Sequence, residues 1–247
     1  MPWLILFSLC IATFSAHSKA QEHSIEQLLK LEIAAYQLSS AFSTYVLFTG
    51  MPQYGQKLNN IVATTGPVLT AAKSNHPDIV DKFQQSLSFI ERKKELVFSP
   101  DDHRLIIGLA TFQNPLYQLI EHKKQSIEQR SPKAPALPPV LDEYLNTRIS
   151  FERVVAHYIA ISASSAGFIV SDISIEENVN TFSADIENIT NKGADFRRLN
   201  VKWNFIKNNM LKEPGQTSPF ITMRTAADIR KTLQRIYQSV LITNSNY

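Results

Sequence analysis

The sequence predicts an all-α fold, organised as two tandem up-and-down helical bundles of about four helices each. Apolar residues return every three to four positions along most of the chain, as on one face of an amphipathic helix. Only 7 of the 247 residues are glycine, whereas a protein of many strands needs frequent turn residues. A stretch with four prolines in ten residues, 130–139, separates the two helical halves.

The N-terminus predicts a secretory signal peptide over residues 1–20. The apolar run that begins at Trp3 is long enough for the hydrophobic part of a signal and too short to cross a bilayer. The tripeptide that ends at Ala20 fits the small–any–small cleavage rule. Cys10 lies within this segment, so the mature chain would have no thiol. We therefore expect a periplasmic or secreted bacterial protein without a stable membrane span.

The first half, residues 21–129, predicts four helices in succession. Its first apolar stripe consists of Leu28, Leu31, Ala35, Leu38, Phe42 and Tyr45. Breaks follow at Gly50-Met51-Pro52, His76-Pro77-Asp78 and Ser99-Pro100-Asp101-Asp102. Pro67 and Pro115 lie inside two of the helical segments, so we expect those helices to bend there.

The second half, residues 140–247, predicts four more helices after the proline-rich linker 130–139. They run from Leu141 to about Val170, from the capping box Ser174-Ile-Glu-Glu177 to about Gly193, from Asp195 to Lys212 and from Phe220 to Ile242. The third of them carries a group of large apolar residues, Trp203, Phe205, Ile206 and Leu211. Such a group at helical spacing predicts core packing rather than a ligand cage.

The two halves align at a shift of 116 residues over much of their length. The matched pairs are Leu29 with Leu145, Ile33 with Ile149, Phe42 with Tyr158, Phe89-Ile90 with Phe205-Ile206 and Ile120 with Ile236. The breaks near Ser99 and Pro214 also coincide. Agreement in order, spacing and breaks favours a duplication, with a chance match between two amphipathic bundles as the alternative.

The sequence offers no combination of residues that is typical of a catalytic or metal site. None of its six histidines forms a metal-ligand pair at helical spacing, and it has no phosphate-binding loop, dinucleotide fingerprint or nucleophile elbow. The net charge of +3 is too weak and too dispersed to predict nucleic-acid binding. We therefore expect no enzyme, no cofactor, no metal ion and no nucleic-acid partner.

One helical face of the second half contains an acidic residue among apolar ones. Its members are Leu145, Ile149, Glu152, Ala156 and Ile159. Arg148 precedes Glu152 by four residues and Arg153 follows it directly, and a charge in this position must be paired or must line a polar cavity. Three interpretations stay open: an Arg148–Glu152 pair at a bundle edge, an anion-sensing pocket with Arg148 and Arg153 as donors, or a partner-binding surface.

The stretch Arg148-Ile-Ser-Phe-Glu-Arg-Val-Val-Ala-His-Tyr158 resembles the signature helix of the type IV pili methyl-accepting chemotaxis transducer N-terminal domain (PilJ-type). Arg148, Arg153 and Tyr158 match that signature by type and spacing, and Glu152 stands where the family has glutamine. The resemblance implies a sensory domain with Arg148, Glu152, Arg153 and Tyr158 as candidate ligand-binding residues. The equivalent helix of the first half departs from it, because Glu32 and Gln37 replace the arginines.

Together these observations predict an exported, non-enzymatic helical module that binds a ligand or a partner, as sensory input domains do. A small anionic ligand or another envelope protein would be its partner, and a homodimer also stays open. The alternative is a structural or assembly factor of the cell envelope, or of an appendage such as a type IV pilus.

Overall fold

The computed structural model describes residues 3–97, 103–130, 137–164, 174–189, 193–212 and 218–244. Every extended element of regular structure in these ranges is an α-helix, which confirms the predicted all-α class. The helices are α1 (Trp3–Leu47), α2 (Pro52–Ala72), α3 (Pro77–Lys93), α4 (His103–Arg130), α5 (Pro139–Ser164), α6 (Ile175–Asn188), α7 (Ala194–Met210) and α8 (Pro219–Asn244). A 3-10 turn, Lys94–Leu96, follows α3.

Two helix boundaries form by the local chemistry that the sequence predicts. Gly50 adopts a positive φ of 71°, and its N–H donates to the carbonyl oxygen of Tyr45 at 2.9 Å, so that α1 ends and Pro52 begins α2. At the start of α6, the hydroxyl of Ser174 accepts a hydrogen bond from the N–H of Glu177 at 3.0 Å. Both satisfy backbone groups that a helix end leaves without partners.

Other boundaries differ from the expected ones or lie elsewhere. α2 and α4 each continue through their internal prolines, Pro67 and Pro115. α6 ends at Asn188, a few residues earlier than expected. The predicted cap at 99–102 and the expected C-terminal part of α5, 165–170, lie outside the described residues.

α1 passes without a break through the predicted signal segment and into the first predicted helix. Cleavage after Ala20 stays a prediction. In the part of the chain that the structure describes, no helix combines the length and apolar character needed to cross a membrane.

The same helix pairs pack in both halves of the chain. In the first half α1 lies against α2 and α4, and α3 lies against α4; in the second half α5 lies against α6 and α8, and α7 against α8. The most extensive helix pair of the molecule, however, joins the halves, because α1 packs along α5. Leu29 packs with Leu145 near one end of this pair, and Gln37 contacts Glu152 further along, so the two helices run in the same direction.

Three apolar clusters hold the helices together. The first is formed by α1–α4 with Ala160 and Ala163 of α5, and the second by α5–α8. The third lies between the halves and contains Leu29, Leu137, Leu145 and Ile149. The largest fully buried side chains are Trp203, Phe42, Phe83, Phe151 and Phe182.

The prediction of a core position is right for part of the apolar group on α7 and wrong for the rest. Trp203 and Ile206 are buried, and the indole N–H of Trp203 donates to the hydroxyl of Ser183 at 2.9 Å. Phe205 is 59% exposed, and Leu211 is also exposed. Two residues along a helix correspond to a rotation of about 200°, so Phe205 faces away from the core that holds Trp203.

Candidate functional site

Glu152 is the centre of a buried charge network where α1, α5 and α8 meet. Its side chain has no exposed surface. The guanidinium of Arg230 on α8 donates to it through Nε at 2.9 Å and through Nη2 at 2.7 Å. Nη2 of Arg148 donates to Oε1 at 3.0 Å, and Nε2 of Gln37 on α1 donates to the same oxygen at 2.9 Å. A bidentate arginine with further donors is what a buried carboxylate needs to remain charged.

The electrostatics of this network keep Glu152 ionised. Burial by itself raises the pKa of its carboxyl group, but the charges of Arg230 and Arg148 and the hydrogen bonds to that carboxylate outweigh burial, so the pKa lies below the ordinary value of 4.5. Burial by itself lowers the pKa of Arg148, but the charge of Glu152, the interaction with Tyr144 and the hydrogen bonds to both together outweigh burial and raise it. The pair is therefore an ion pair at neutral pH.

A second network surrounds Glu32 on α1. Nη2 of Arg153 on α5 donates to its Oε1 at 3.1 Å, and Nζ of Lys124 on α4 donates to its Oε2 at 3.0 Å. Nε of Arg153 also donates to the hydroxyl of Tyr36 at 3.0 Å. Burial raises the pKa of Tyr36 to about 12, so this hydroxyl stays protonated. The ring of Tyr36 stacks on Tyr117 of α4, with centroids 4.4 Å apart.

The two networks cross the α1–α5 contact through corresponding positions. The first crossing bond joins Gln37 to Glu152, and the second joins Tyr36 to Arg153. At the shift of 116 residues, Tyr36 corresponds to Glu152 and Gln37 to Arg153. Each bond is therefore the counterpart of the other under exchange of the halves, which is how an isologous interface is built.

The structure brings three of the four candidate residues to this contact and places the fourth elsewhere. Arg148 and Glu152 belong to the first network, and Arg153 belongs to the second. Tyr158 is buried in the apolar cluster of α5–α8, and its hydroxyl has no hydrogen-bond partner among the described residues. The Nε of Arg148 is also buried without one.

The Arg148–Glu152 pair is confirmed, but its expected place at a bundle edge is wrong, since Glu152 is buried completely. The acceptors for the arginines are the chain's own carboxylates, Glu152 and Glu32. A small anion in this position would have to replace one of them. Arg230 has no local signal in the sequence, because 78 residues separate it from Glu152.

A different surface stands out on the α7–α8 hairpin. Among the described residues, most of the exposed large apolar side chains lie on these two helices or directly after α7: Val201, Phe205, Leu211, Phe220 and Ile221. Nζ of Lys202 lies 3.6 Å from a carboxylate oxygen of Asp228, and Nη2 of Arg235 lies 3.5 Å from one of Asp195. These contacts set the antiparallel register of the two helices. We use the name α7–α8 face for the solvent-facing surface of these two helices. It includes Val201 on α7 and extends along α8 from Ile221 to Arg235.

The described residues contain no group of three or more histidine, cysteine, aspartate or glutamate side chains that could hold a metal ion. No family of known proteins matches the chain, and neither a curated protein nor a solved structure matches it. The resemblance of residues 148–158 to the PilJ-type signature helix thus stays a prediction from the sequence.

Proposed function

We propose that the chain is an exported, non-catalytic helical binding module, and that it works by docking a protein partner on the α7–α8 face. The observation that carries this proposal is the exposure of apolar side chains there: Val201 is 70% exposed and Phe205 is 59% exposed. Single exposed apolar residues are ordinary, but several on one hairpin are typical of an interaction site. An aromatic anchor among them is typical of residues that dominate binding energy.

The register of the hairpin supports one continuous surface. The Lys202–Asp228 and Asp195–Arg235 contacts place Phe205 level with Thr225, one turn from Ile221. Apolar groups from both helices therefore lie near the end of the hairpin where α7 passes into α8. Such a surface fits a sensory module that hands its signal to a separate membrane protein, and it equally fits an envelope or pilus assembly factor.

A small anionic ligand at Arg148 and Arg153 is the second candidate function. It is favoured by the resemblance to the PilJ-type signature and by the buried Nε of Arg148, which lacks a hydrogen-bond acceptor within the described residues. We place it second because Glu152 and Glu32 already accept from both guanidinium groups.

The experiment that tests the first proposal places a photo-crosslinking amino acid at Phe205 in the full exported chain. We expect a discrete adduct with a partner protein on irradiation in cells. The matched control carries the same amino acid at Leu96, which is 51% exposed in the first half. No adduct from position 205, or the same adducts from both positions, would refute docking on the α7–α8 face, and an adduct with a second copy would identify a homodimer.

A further inference from the structure

Two corresponding phenylalanines, one in each half of the chain, differ in their burial. Phe89 on α3 is buried, and it contacts Phe112 of α4 with ring centroids 5.3 Å apart. It also lies over Gly108 so closely that a Cβ there would meet its ring at 2.7 Å. In the second half the corresponding position is Phe205, which is exposed.

Two of the residues that pack against Phe89 have charged counterparts in the second half, whereas a third, Phe42, corresponds to Tyr158. At the shift of 116 residues, Gly108 corresponds to Arg224 and Phe112 corresponds to Asp228. A charged side chain cannot replace a phenyl ring that packs against another ring, and a long side chain cannot replace a glycine that leaves room for one. Phe205 is therefore apolar like Phe89, but two of the positions that correspond to the cover of Phe89 hold charged residues.

The surface next to Lys202, which lies three residues before Phe205 on α7, is open and basic. A cleft of about 510 Å³ is lined by Lys202, Asp228, Lys231, Gln234, Arg235 and Gln238. Three cations against one carboxylate leave the lining with a net charge of +2, and the further carboxylate of Asp195 on α7 lies 3.5 Å from Arg235. Lys231 is exposed and makes no ion pair with any side chain that the structure describes, and Lys202 lies at a loose 3.6 Å from Asp228.

We propose that the partner of the α7–α8 face is an acidic protein segment, whose carboxylates enter this cleft while an apolar side chain covers Phe205. This inference rests on the proposed docking function and adds the chemistry of the partner. Lys231 pairs with the carboxylates, and Lys202 and Arg235, whose contacts with Asp228 and Asp195 are 3.6 and 3.5 Å long, add to the attraction. The side-chain amides of Gln234 and Gln238 form hydrogen bonds with the polar groups of the segment, because an amide can both donate and accept a hydrogen bond.

The shape and chemistry of the site favour a peptide over the other anions. An inorganic anion would fill only a small part of the cleft and would leave Phe205 uncovered. A flat bilayer would reach the protruding apolar groups but would not fill the cleft. Only a segment with both acidic and apolar side chains satisfies both parts of the surface at once.

The test measures the affinity of the purified full chain for a fluorescent peptide in which glutamate pairs alternate with phenylalanine. We expect saturable binding that weakens with salt, because exposed charges contribute. The substitution Lys231→Glu should weaken it about fivefold or more, since it replaces an attraction by a repulsion. The matched control Lys73→Glu changes an exposed lysine on the first half and should leave the affinity unchanged.

Several results would overturn the inference. One is equal affinity for a peptide with lysine in place of glutamate; another is no loss on Lys231→Glu. Binding to vesicles of phosphatidylglycerol but not to the peptide would identify a membrane surface instead. The crosslinked adduct from position 205 separates the two proposals. If Lys231→Glu leaves the yield of the adduct unchanged, the acidic segment is refuted and docking is retained. If the unsubstituted chain forms no adduct, docking itself is refuted.

Discussion

Arg230 binds the carboxylate of Glu152 with two nitrogen atoms of one guanidinium group, at 2.9 and 2.7 Å, across the contact between α8 and α5. The same guanidinium lies over the ring of Phe151, with its central carbon 5.7 Å from the centroid. The apolar surroundings strengthen the ion pair and make the loss of either partner costly.

We predict that Arg230→Ala lowers the free energy of unfolding by about 3 kcal/mol, because it leaves a buried carboxylate with one arginine instead of two. Urea denaturation followed by circular dichroism measures the change. The neighbouring substitution Lys231→Ala removes an exposed cation and should cost less than about 0.5 kcal/mol. Equal effects of the two substitutions would contradict the buried pair.

Removing both partners should be less harmful than the single changes suggest. The double variant Glu152→Leu, Arg230→Met deletes the buried charge together with its bidentate partner, so no uncompensated carboxylate remains. We expect its loss of stability to be smaller than the sum of the two single losses, as a double-mutant cycle would show. Simple additivity would mean that the two side chains do not interact.

The ionised state of Glu152 predicts a stability that depends on pH. Its pKa in the folded chain lies below 4.5, because Arg230 and Arg148 outweigh the effect of burial. The stabilisation is therefore complete above the unfolded value near 4.5 and is lost as the pH falls through the folded value. The urea concentration at the unfolding midpoint should therefore decrease as the pH is lowered from the unfolded pKa of Glu152 through its folded pKa. The substitution Glu152→Gln should make this decrease in the urea midpoint smaller. The substitution Glu95→Gln, at an exposed site, should not.

Corresponding phenylalanines in the two halves should respond differently to truncation. Phe89→Ala removes a ring that packs against Phe112 and Phe42, and we expect a loss of about 3 to 4 kcal/mol. Phe205→Ala removes an exposed ring and should change stability by about 0.5 kcal/mol at most. Chemical denaturation of both variants decides the matter, and a large loss at Phe205 would show that its side chain is covered within the chain.

Small anions test the second candidate function. We expect phosphate, sulfate and acetate to leave the melting temperature nearly unchanged, because Glu152 and Glu32 already accept from Arg148 and Arg153. A ligand present at a hundredfold excess over its Kd would instead add about 2.7 kcal/mol of stability. If an anion does raise the melting temperature and Arg153→Ala abolishes the rise, while Lys73→Ala does not, the arginine site is the ligand site.

Local patterns predicted the helices well and long-range pairs poorly. The glycine stop at Gly50 and the cap at Ser174 depend on neighbours within a few residues, so the sequence displays them directly. The same holds for the Arg148–Glu152 pair, one helical turn apart. Arg230 could not be found in this way, because its partner lies on another helix.

The error at Phe205 has the same physical origin. Helical spacing identifies residues on one side of their own helix, but burial depends on what the neighbouring helix presents. Around Phe89 that helix supplies a glycine and a phenyl ring, whereas the corresponding positions of α8 hold Arg224 and Asp228. Aligning Phe89 with Phe205 does not predict this difference, because it depends on the residues at the positions of Gly108 and Phe112.

The side-by-side packing of α1 and α5 has a consequence for how the chain can be divided. Because the halves meet through matching positions and bury Leu29 against Leu145, neither half presents that surface to water in the native state. A break introduced between Arg130 and Pro139 should therefore leave two fragments that reassociate on mixing. A reporter protein split between the two fragments would regain its signal when they reassociate. Gln37 and Tyr36 would determine the specificity of that reassociation, because their hydrogen bonds cross the contact.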